Sequence, residues 1–397
     1  MEKIVIQNLF KIFGDHPEKA LKMLKQGATK DEVMEKIGNP VGVADVSFDV
    51  KQGEIVVVMG LSGSGKSTLV RCINRLFEPT AGKISVDGTD VIGLSQEDLR
   101  RFRRDKFGMV FQNFALFPHR KVVTNVEFGL EIQREDPETM RKKAMDALEM
   151  VGLKGWEESY PSELSGGMQQ RVGLARAIAL DPDILLMDEA FSALDPLIRR
   201  DMQDELLKLQ ESMHKTIVFI SHDLDEALKL GDRIVLMKDG AVVQIGTGEE
   251  ILTAPATEYV AKFVEEVDIT KVLTAESVMK KTEAVANLKT DGPRAALRKM
   301  RKNAISSLFV VDEDHKLVGV VAADEAARLA KTESRDLREV MNVDYKTVTA
   351  GTPATELFPL LQDIPYPLAV VDDNNRLLGV IIRGQLIAAV AERGGNE

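Results

Sequence analysis

The chain holds a single cysteine, Cys72, among 397 residues. One thiol excludes a disulfide framework and any multi-cysteine zinc or iron–sulfur site. It fits a reducing compartment. Tryptophan is equally scarce, with Trp156 alone, and aromatics make up 5% of the chain. Long apolar runs are missing. Stretches such as Ile55–Met59 fall far short of the ~20 residues that cross a bilayer. The N-terminal segment MEKIVIQNLFKIFG is charged at once and has no apolar h-region, so no secretory signal is expected. Positive charge is in deficit, with 52 Lys and Arg against 63 Asp and Glu and a net charge of −11. So acidic a chain is a poor bulk binder of nucleic acid. His16, His119, His214 and His315 lack metal-ligand spacing. If the protein serves a membrane process, other chains supply the membrane part.

With 44% hydrophobic and 29% charged residues, the chain can bury real cores. Its length predicts two or three domains. Charge is unevenly spread. Residues 271–397 hold 18 basic and 18 acidic side chains, so residues 1–270 carry the whole −11. This places a boundary near 270.

Residues 1–270 alternate short apolar strands with helical stretches, the rhythm of an α/β domain. EIVVVMG, DILLMDE and KTIVFISHD are near-continuously apolar, which predicts a sheet covered on both faces. Between Gly14 and Gly42 lies a helical insertion, residues 15–41. Asp15 is placed to N-cap a first helix, with Pro17 in its first turn and Gly27 at its end. Thr29 and Glu32 have capping-box spacing for a second helix closed by Gly38. Leu21 and Leu24, then Val33 and Ile37, give each helix one apolar stripe. The stripes read as cover for a domain edge, or as a docking surface for a partner.

Residues 271–397 contain a repeat. LFVVDEDHKLVGVV at Leu308–Val321 matches LAVVDDNNRLLGVI at Leu368–Ile381, and SVM at Ser277–Met279 parallels EVM at Glu339–Met341. Each copy reads strand, acidic turn, strand, helix. The copies span approximately 271–332 and 333–397 and should pack as one pseudo-symmetric module.

Three motifs carry chemistry. GLSGSGKST at Gly60–Thr68 follows a strand and opens a helix, as a phosphate-binding loop requires. Gly60, Gly63 and Gly65 let the backbone curl so that amides of Ser62, Ser64 and their neighbours point at phosphate oxygens. Lys66 supplies a point charge to the β- and γ-phosphates, and the Ser67 hydroxyl suits Mg²⁺. DILLMDE ends a buried strand with Asp188, fit for the Mg²⁺ shell, and Glu189, fit to polarise an attacking water. LSGGMQQR at Leu164–Arg171 brings Ser165, Gly166 and Gly167 to a helix N-terminus, a second anion cradle. The chain has one phosphate loop, so a second cradle implies a second nucleotide and a homodimer.

The loop at Gly60–Thr68, Gln112, LSGGM, ILLMDE, SALD at Ser192–Asp195 and His222 follow the order and spacing of an ATP-binding cassette (ABC) ATPase, which residues 1–250 resemble. The resemblance implies that two subunits sandwich two ATP molecules with Mg²⁺. It makes Glu189 the general base and Lys66 the stabiliser of phosphate charge. Gln112 becomes the sensor of Mg²⁺ and water that faces the membrane partner. His222 contacts the γ-phosphate, Asp195 communicates across the dimer, and Phe13 stacks on adenine, with Phe10 the lesser candidate. Ser67, Gln112 and Asp188 form the metal set, and Thr68 joins the nucleotide contacts. Met168 departs from the usual Gln at the end of the signature. Phe at 13 replaces a common Tyr or Trp, and stacking needs only a π-face.

The repeat resembles a tandem pair of cystathionine-β-synthase-type (CBS) domains, which often regulate an attached domain. After their GVV-like strands, Ala322 and Glu325 in the first copy, and Ile382 and Gln385 in the second, stand where an ordinary adenosine site has its hydroxyl and acid. Arg294, Arg298, Lys299, Arg301 and Lys302 crowd one expected helix. They read as a solvated face, or as a basic patch for anionic lipid or a salt-sensitive contact.

The combination, with MDEAFSALDPLIRRDMQDELLKLQ at Met187–Gln210, resembles the ATPase subunits of glycine betaine/proline-type importers. That implies integral membrane permease subunits, an indirect link to a substrate-binding protein, and a peripheral place on the cytoplasmic face of the inner or plasma membrane. No nucleic-acid partner is expected. The alternatives are a soluble ABC ATPase without a transporter, and an importer subunit for another small solute.

Overall fold

The computed structural model describes residues 1–394 except 266, 268, 269, 271 and 283, with side chains to residue 389. The chain divides into two compact units, the first Met1–Val264 and the second beginning at Glu265.

In the first unit, β1 (Glu2–Ile12) pairs antiparallel with β2 (Val41–Lys51). Next comes β3 (Ile55–Met59), which belongs to a different sheet. The strands β4 (Ala81–Val86) and β5 (Thr89–Asp90) complete the first sheet in the order β2-β1-β4-β5. The second sheet contains β6 (Phe107–Phe111), β7 (Ile184–Asp188), β8 (Thr216–Ile220), β9 (Arg233–Lys238) and β10 (Ala241–Gly246). Its order is β10-β9-β3-β8-β7-β6. Only the β9–β10 pairing is antiparallel. Every residue of β3, β7 and β8 is buried, as the apolar runs predict.

Register sets where the chemistry falls. Phe111 pairs with Asp188, Asp188 with Ile220, and Ile220 with Val58. The carboxyl ends of β6, β7, β8 and β3 are therefore level. Gln112, Asp188–Glu189, Ser221–His222 and the loop starting at Gly60 leave the sheet along one edge, where α/β sheets place their ligands.

The insertion folds as two helices, Pro17–Lys25 and Lys30–Ile37. The first begins at His16 rather than Asp15, and no side chain caps it. Pro17 at its first position has the helical φ built in and no N–H to satisfy. The second helix forms the full capping box. Glu32 N–H donates to Thr29 Oγ1 at 3.2 Å, Thr29 N–H donates to Glu32 Oε2 at 3.0 Å, and Gly38 closes the helix at φ 70°. The stripes meet in a small core of Ile12, Ala20 and Val33, packed by Leu21, Leu24 and Ile37. Cys72 is fully buried, and burial pushes its thiol up to about 12.

The second unit contains β11 (Val285–Asn287), β12 (Ser307–Val311), β13 (Leu317–Ala322), β14 (Thr347–Thr349), β15 (Leu368–Val371) and β16 (Leu377–Ile381). They form two sheets of identical order, β11-β12-β13 and β14-β15-β16. The acidic turns are equivalent. Asp312 Oδ1 accepts from Asp314 and Lys316 N–H at 2.9 and 2.8 Å, and Asp372 Oδ1 accepts from Asn374 and Arg376 N–H at 2.9 and 2.8 Å.

The repeats exchange their leading arms. Asn342, at the start of the second copy, bonds Val320 of the first at 2.8 and 3.0 Å. Lys280, at the start of the first copy, bonds Val380 of the second at 2.9 and 3.0 Å. Beside these bonds Met341 lies on Gly319, and Met279 lies on Gly379. Each glycine leaves room for the other copy's methionine, so neither repeat closes its core alone.

A Cβ at Gly319 would stand 2.3 Å from Met341 Cγ. Gly319→Val should therefore loosen the second unit by ~1–3 kcal/mol. Amide hydrogen exchange checks this: protection should fall in β12, β13 and the Met341 arm but not in the β3–β8 core. Unchanged protection around Met341 would contradict the exchanged-arm packing.

Candidate functional site

The phosphate loop is shaped by close backbone approaches that only glycine allows. A Cβ at Gly60 would lie 2.2 Å from the Met237 carbonyl oxygen, and one at Gly65 2.1 Å from that of Gly42. Both residues have positive φ, 144° and 98°. The turn after β9 braces the loop, with Gly240 N–H donating to Ser64 O at 3.0 Å. Ser64 Oγ is buried and has no hydrogen-bond partner. A Cβ at Gly60 would also meet it at 2.7 Å, so the hydroxyl packs inside the turn of the loop.

Lys66 opens the helix Lys66–Ile73 and is itself buried. Its ammonium donates to Gly60 O at 2.7 Å and Leu61 O at 3.1 Å. Burial lowers its pKa, while the nearby Glu189 and Asp188 carboxylates raise it. Ser67 hydroxyl donates to Asp188 Oδ1 at 2.9 Å, and Arg71 pairs with Asp188 Oδ2 at 3.2 Å. Arg71 is a site residue that motif reading missed. The signal was present, since Ser67 and Arg71 are i and i+4 and share a helix face.

Glu189 follows β7 at φ 48°, a conformation that costs a non-glycine residue about 1–3 kcal/mol. Ser192 holds it there, as its N–H and hydroxyl both donate to the Glu189 carbonyl, at 3.2 and 2.9 Å. Gln112 Nε2 lies 3.1 Å from Ser192 Oγ and 3.4 Å from Glu189 Oε2. The same oxygen lies 3.4 Å from His222 Nδ1. The structure thus gathers Lys66, Ser67, Gln112, Asp188, Glu189 and His222. Ser192 is a further residue the sequence reading left without a role.

The aromatic candidates separate by exposure. Phe10 is 5% exposed and belongs to the core. Phe13 is half-buried, edge-on to Phe77 at 5.5 Å. Phe13 and Thr68 both crowd Gly42, where a Cβ would meet Phe13 Cε2 at 2.9 Å and Thr68 Cγ2 at 2.8 Å.

Ser165, Gly166 and Gly167 stand apart from this cluster. Ser165 N-caps the helix Gly166–Ile178, its Oγ accepting from Met168 N–H at 3.3 Å. That bond uses one of the oxygen's two lone pairs, and the hydroxyl proton remains to donate. The Met168 contribution is a backbone N–H, so its side-chain identity does not enter. Asp195 is exposed at the start of the helix Pro196–Met213, beside Leu197, which is 80% exposed.

In the second unit, a cavity of about 680 Å³ is lined by Lys281, Thr282, Lys302, Ile305, Ile382 and Gln385, among others. The positions of the expected hydroxyl and acid are thus an aliphatic and an amide side chain. In the first copy, Glu325 is paired with Arg328 of its own helix. The basic helix Pro293–Asn303 divides its charges. Lys299 turns inward to Asp291 at 2.6 Å and to Val285 O at 3.0 Å. Arg294, Arg298, Arg301 and Lys302 are exposed.

A lysine-bearing loop beside a strand that ends in a buried aspartate followed by a glutamate defines a phosphate-loop nucleoside triphosphatase. The ABC transporter family profile matches residues 43–192, and the CBS domain profile matches 275–331 and 337–392. The chain is 55% identical over 395 residues to the glycine betaine transport ATP-binding protein OpuAA of Bacillus subtilis (strain 168), covering 100% of this chain and 93% of that one. It is 48% identical over 396 residues to the glycine betaine/proline betaine transport system ATP-binding protein ProV of Escherichia coli (strain K12), covering 99% of each. A solved dimeric ATP-binding cassette in a post-hydrolysis state with ADP and Pi is 33% identical, with a TM-score of 0.53, over 62% of this chain and 98% of that one. The chain belongs to the ABC transporter family, as an ATP-hydrolysing subunit with a C-terminal CBS pair.

Gly65→Ala forces a Cβ against backbone rather than a flexible side chain. It should weaken binding of a fluorescent ATP analogue at least roughly tenfold, the loss of about one good phosphate contact. The circular dichroism spectrum should stay parental. Undiminished affinity would show that the loop does not hold the phosphates.

Proposed function

We propose that two copies of this chain close on two ATP molecules, each held between Gly60–Thr68 of one copy and Ser165–Gly167 of the other. One observation carries this reading. The catalytic side chains converge on one strand edge, while Ser165, the second anion cradle, makes its bonds within its own helix. A second copy is the natural source of the missing half.

In this reading Lys66 exchanges its loop carbonyls for phosphate oxygens, and Phe13 stacks on the adenine. Glu189, set between Gln112 and His222, polarises the attacking water, and His222 meets the γ-phosphate. Asp195 touches the other copy. The donor set fits Mg²⁺: the Ser67 hydroxyl and Asp188 carboxylate are hard oxygens 2.9 Å apart, and Gln112 adds an amide oxygen. Among the described residues no cluster of three His, Cys, Asp or Glu side chains forms an all-protein cage. Mg²⁺ held by one carboxylate together with substrate phosphates has this character. When bound, it neutralises charge on the phosphates.

Residues 1–270 act as the ATPase, and residues 271–397 regulate it. The names of the relatives support glycine betaine, proline or a related quaternary amine such as choline as the imported solute. No helix among the described residues is long and apolar enough to cross a membrane. Integral permease subunits therefore carry the solute, fed by a substrate-binding protein, with this chain peripheral on the cytoplasmic face. An apolar groove of about 300 Å³, lined by Met109, Phe111, Phe117, Phe128, Ile132 and Leu180, lies beside Gln112 and suits a helix end of a permease.

Glu189→Gln should keep ATP binding but slow phosphate release at least ~100-fold, and gel filtration should then show an ATP-trapped dimer. Hydrolysis at the parental rate would remove Glu189 from its role. A second prediction concerns regulation. Reversing Arg294, Arg298 and Arg301 to Glu should flatten the salt dependence of ATP turnover in the complete transporter in anionic vesicles, because exposed charges are screened over ~8–10 Å. A normal salt response would end the role of this face.

A further inference from the structure

We infer that Arg199 and Glu226 are positioning residues that clamp the segment carrying Asp195 to the segment carrying His222, so that the two move as one body. The inference rests on the roles proposed above for Asp195 and His222.

The helix Pro196–Met213 starts at Asp195 and sends two side chains toward the loop after β8. Gln203 Nε2 donates to Glu226 Oε1 at 3.0 Å, and the other oxygen of Glu226 accepts from the Ser221 hydroxyl. All three residues are buried, at 6%, 6% and 1% exposure. One turn earlier, the Arg199 guanidinium donates to the carbonyls of Ser192 and Leu194, at 3.3 and 3.2 Å. It also pairs with Asp223 Oδ2 at 3.3 Å. Ser221 Oγ accepts from Asp223 N–H at 3.0 Å, and Asp223 Oδ1 accepts from Glu226 N–H at 3.2 Å.

The links therefore end on residues 221 and 223, the two neighbours of His222, and leave the imidazole facing Glu189. A buried carboxylate and amide are costly unless paired, so the arrangement is strongly held. Arg199 also fixes the carbonyl of Ser192, the residue that bonds Gln112 and holds Glu189 at its positive φ. A displacement of Asp195 thus reaches His222 through protein alone, without passing through nucleotide.

The test uses the full chain turning over MgATP, with Ser221→Ala and Gln203→Met as two independent cuts of the buried link. Each should lower kcat about tenfold with KM for ATP within about twofold, the pattern of an interaction made in the transition state. In a His222→Ala background neither should lower turnover further, because the link acts only through His222. If His222→Ala turns over at the parental rate, the site reading fails and this proposal falls with it. If His222→Ala is slow but both cuts run at the parental rate, the positioning role alone is overturned. The same holds if the cuts slow the His222→Ala chain by the factor seen in the parent, which marks general support of the fold.

Discussion

Everything in the ATPase site depends on four parallel strands ending at one level. Backbone pairing fixes Phe111, Asp188, Ile220 and Val58 in a row. The residues that follow them are therefore neighbours although they lie far apart in the chain. A side-chain period of two makes that register unforgiving, since a slip by one residue would turn Asp188 to the other face of the sheet. The fully apolar strands β3, β7 and β8 anchor it. Their burial excludes water from a ladder that has to hold a carboxylate at its end.

Around that edge the charges satisfy one another. Lys66 donates to two carbonyls of its own loop, and Asp188 takes one bond from Ser67 and one from Arg71. Burial holds the Lys66 pKa below its ordinary value, and the Glu189 and Asp188 carboxylates offset part of that shift. The loop is thus kept in shape by contacts of the same kind a nucleotide would make. The strained φ of Glu189 fits the same logic, since Ser192 and the strand before it over-determine its position.

Much of this was legible in the sequence because motif chemistry is local. The loop Gly60–Thr68, the strand end at Asp188–Glu189 and the Thr29–Glu32 capping box each need residues only a few positions apart. Asp15 misled because Pro17 takes the first helical position, which leaves the cap to His16, one residue after the aspartate. Ser192, Arg199 and Glu226 were missed. Ser192 stood in the SALD motif without a role, although its bond to the Glu189 carbonyl spans only three residues. The partners of Arg199 and Glu226 are set by how a helix packs on a neighbouring strand end, which no spacing rule within one segment encodes. The repeat was legible as a repeat, down to its acidic turns. The exchange of Met279 and Met341 between copies was not, because a glycine in GVV or GVI does not announce which side chain fills its space. The basic helix shows the same limit, since Lys299 sits among exposed arginines in the sequence and turns inward in the fold.

The division of labour within the first unit bears on why a nucleotide sandwich would work as a switch. Ser165 meets its capping need within its own helix, so it stays shaped in a lone chain and adds nothing to that chain's own phosphate loop. Asp195 and the 80%-exposed Leu197 stand together at the head of the helix Pro196–Met213. The same helix carries Arg199 and Gln203, whose bonds run to the flanks of His222. With the roles proposed for Asp195 and His222, contact with a partner copy would register at the head of a helix whose first turns hold the flanks of His222. Pairing and chemistry would then be coupled for a mechanical reason: the helix headed by Asp195 is the helix bonded to both flanks of His222.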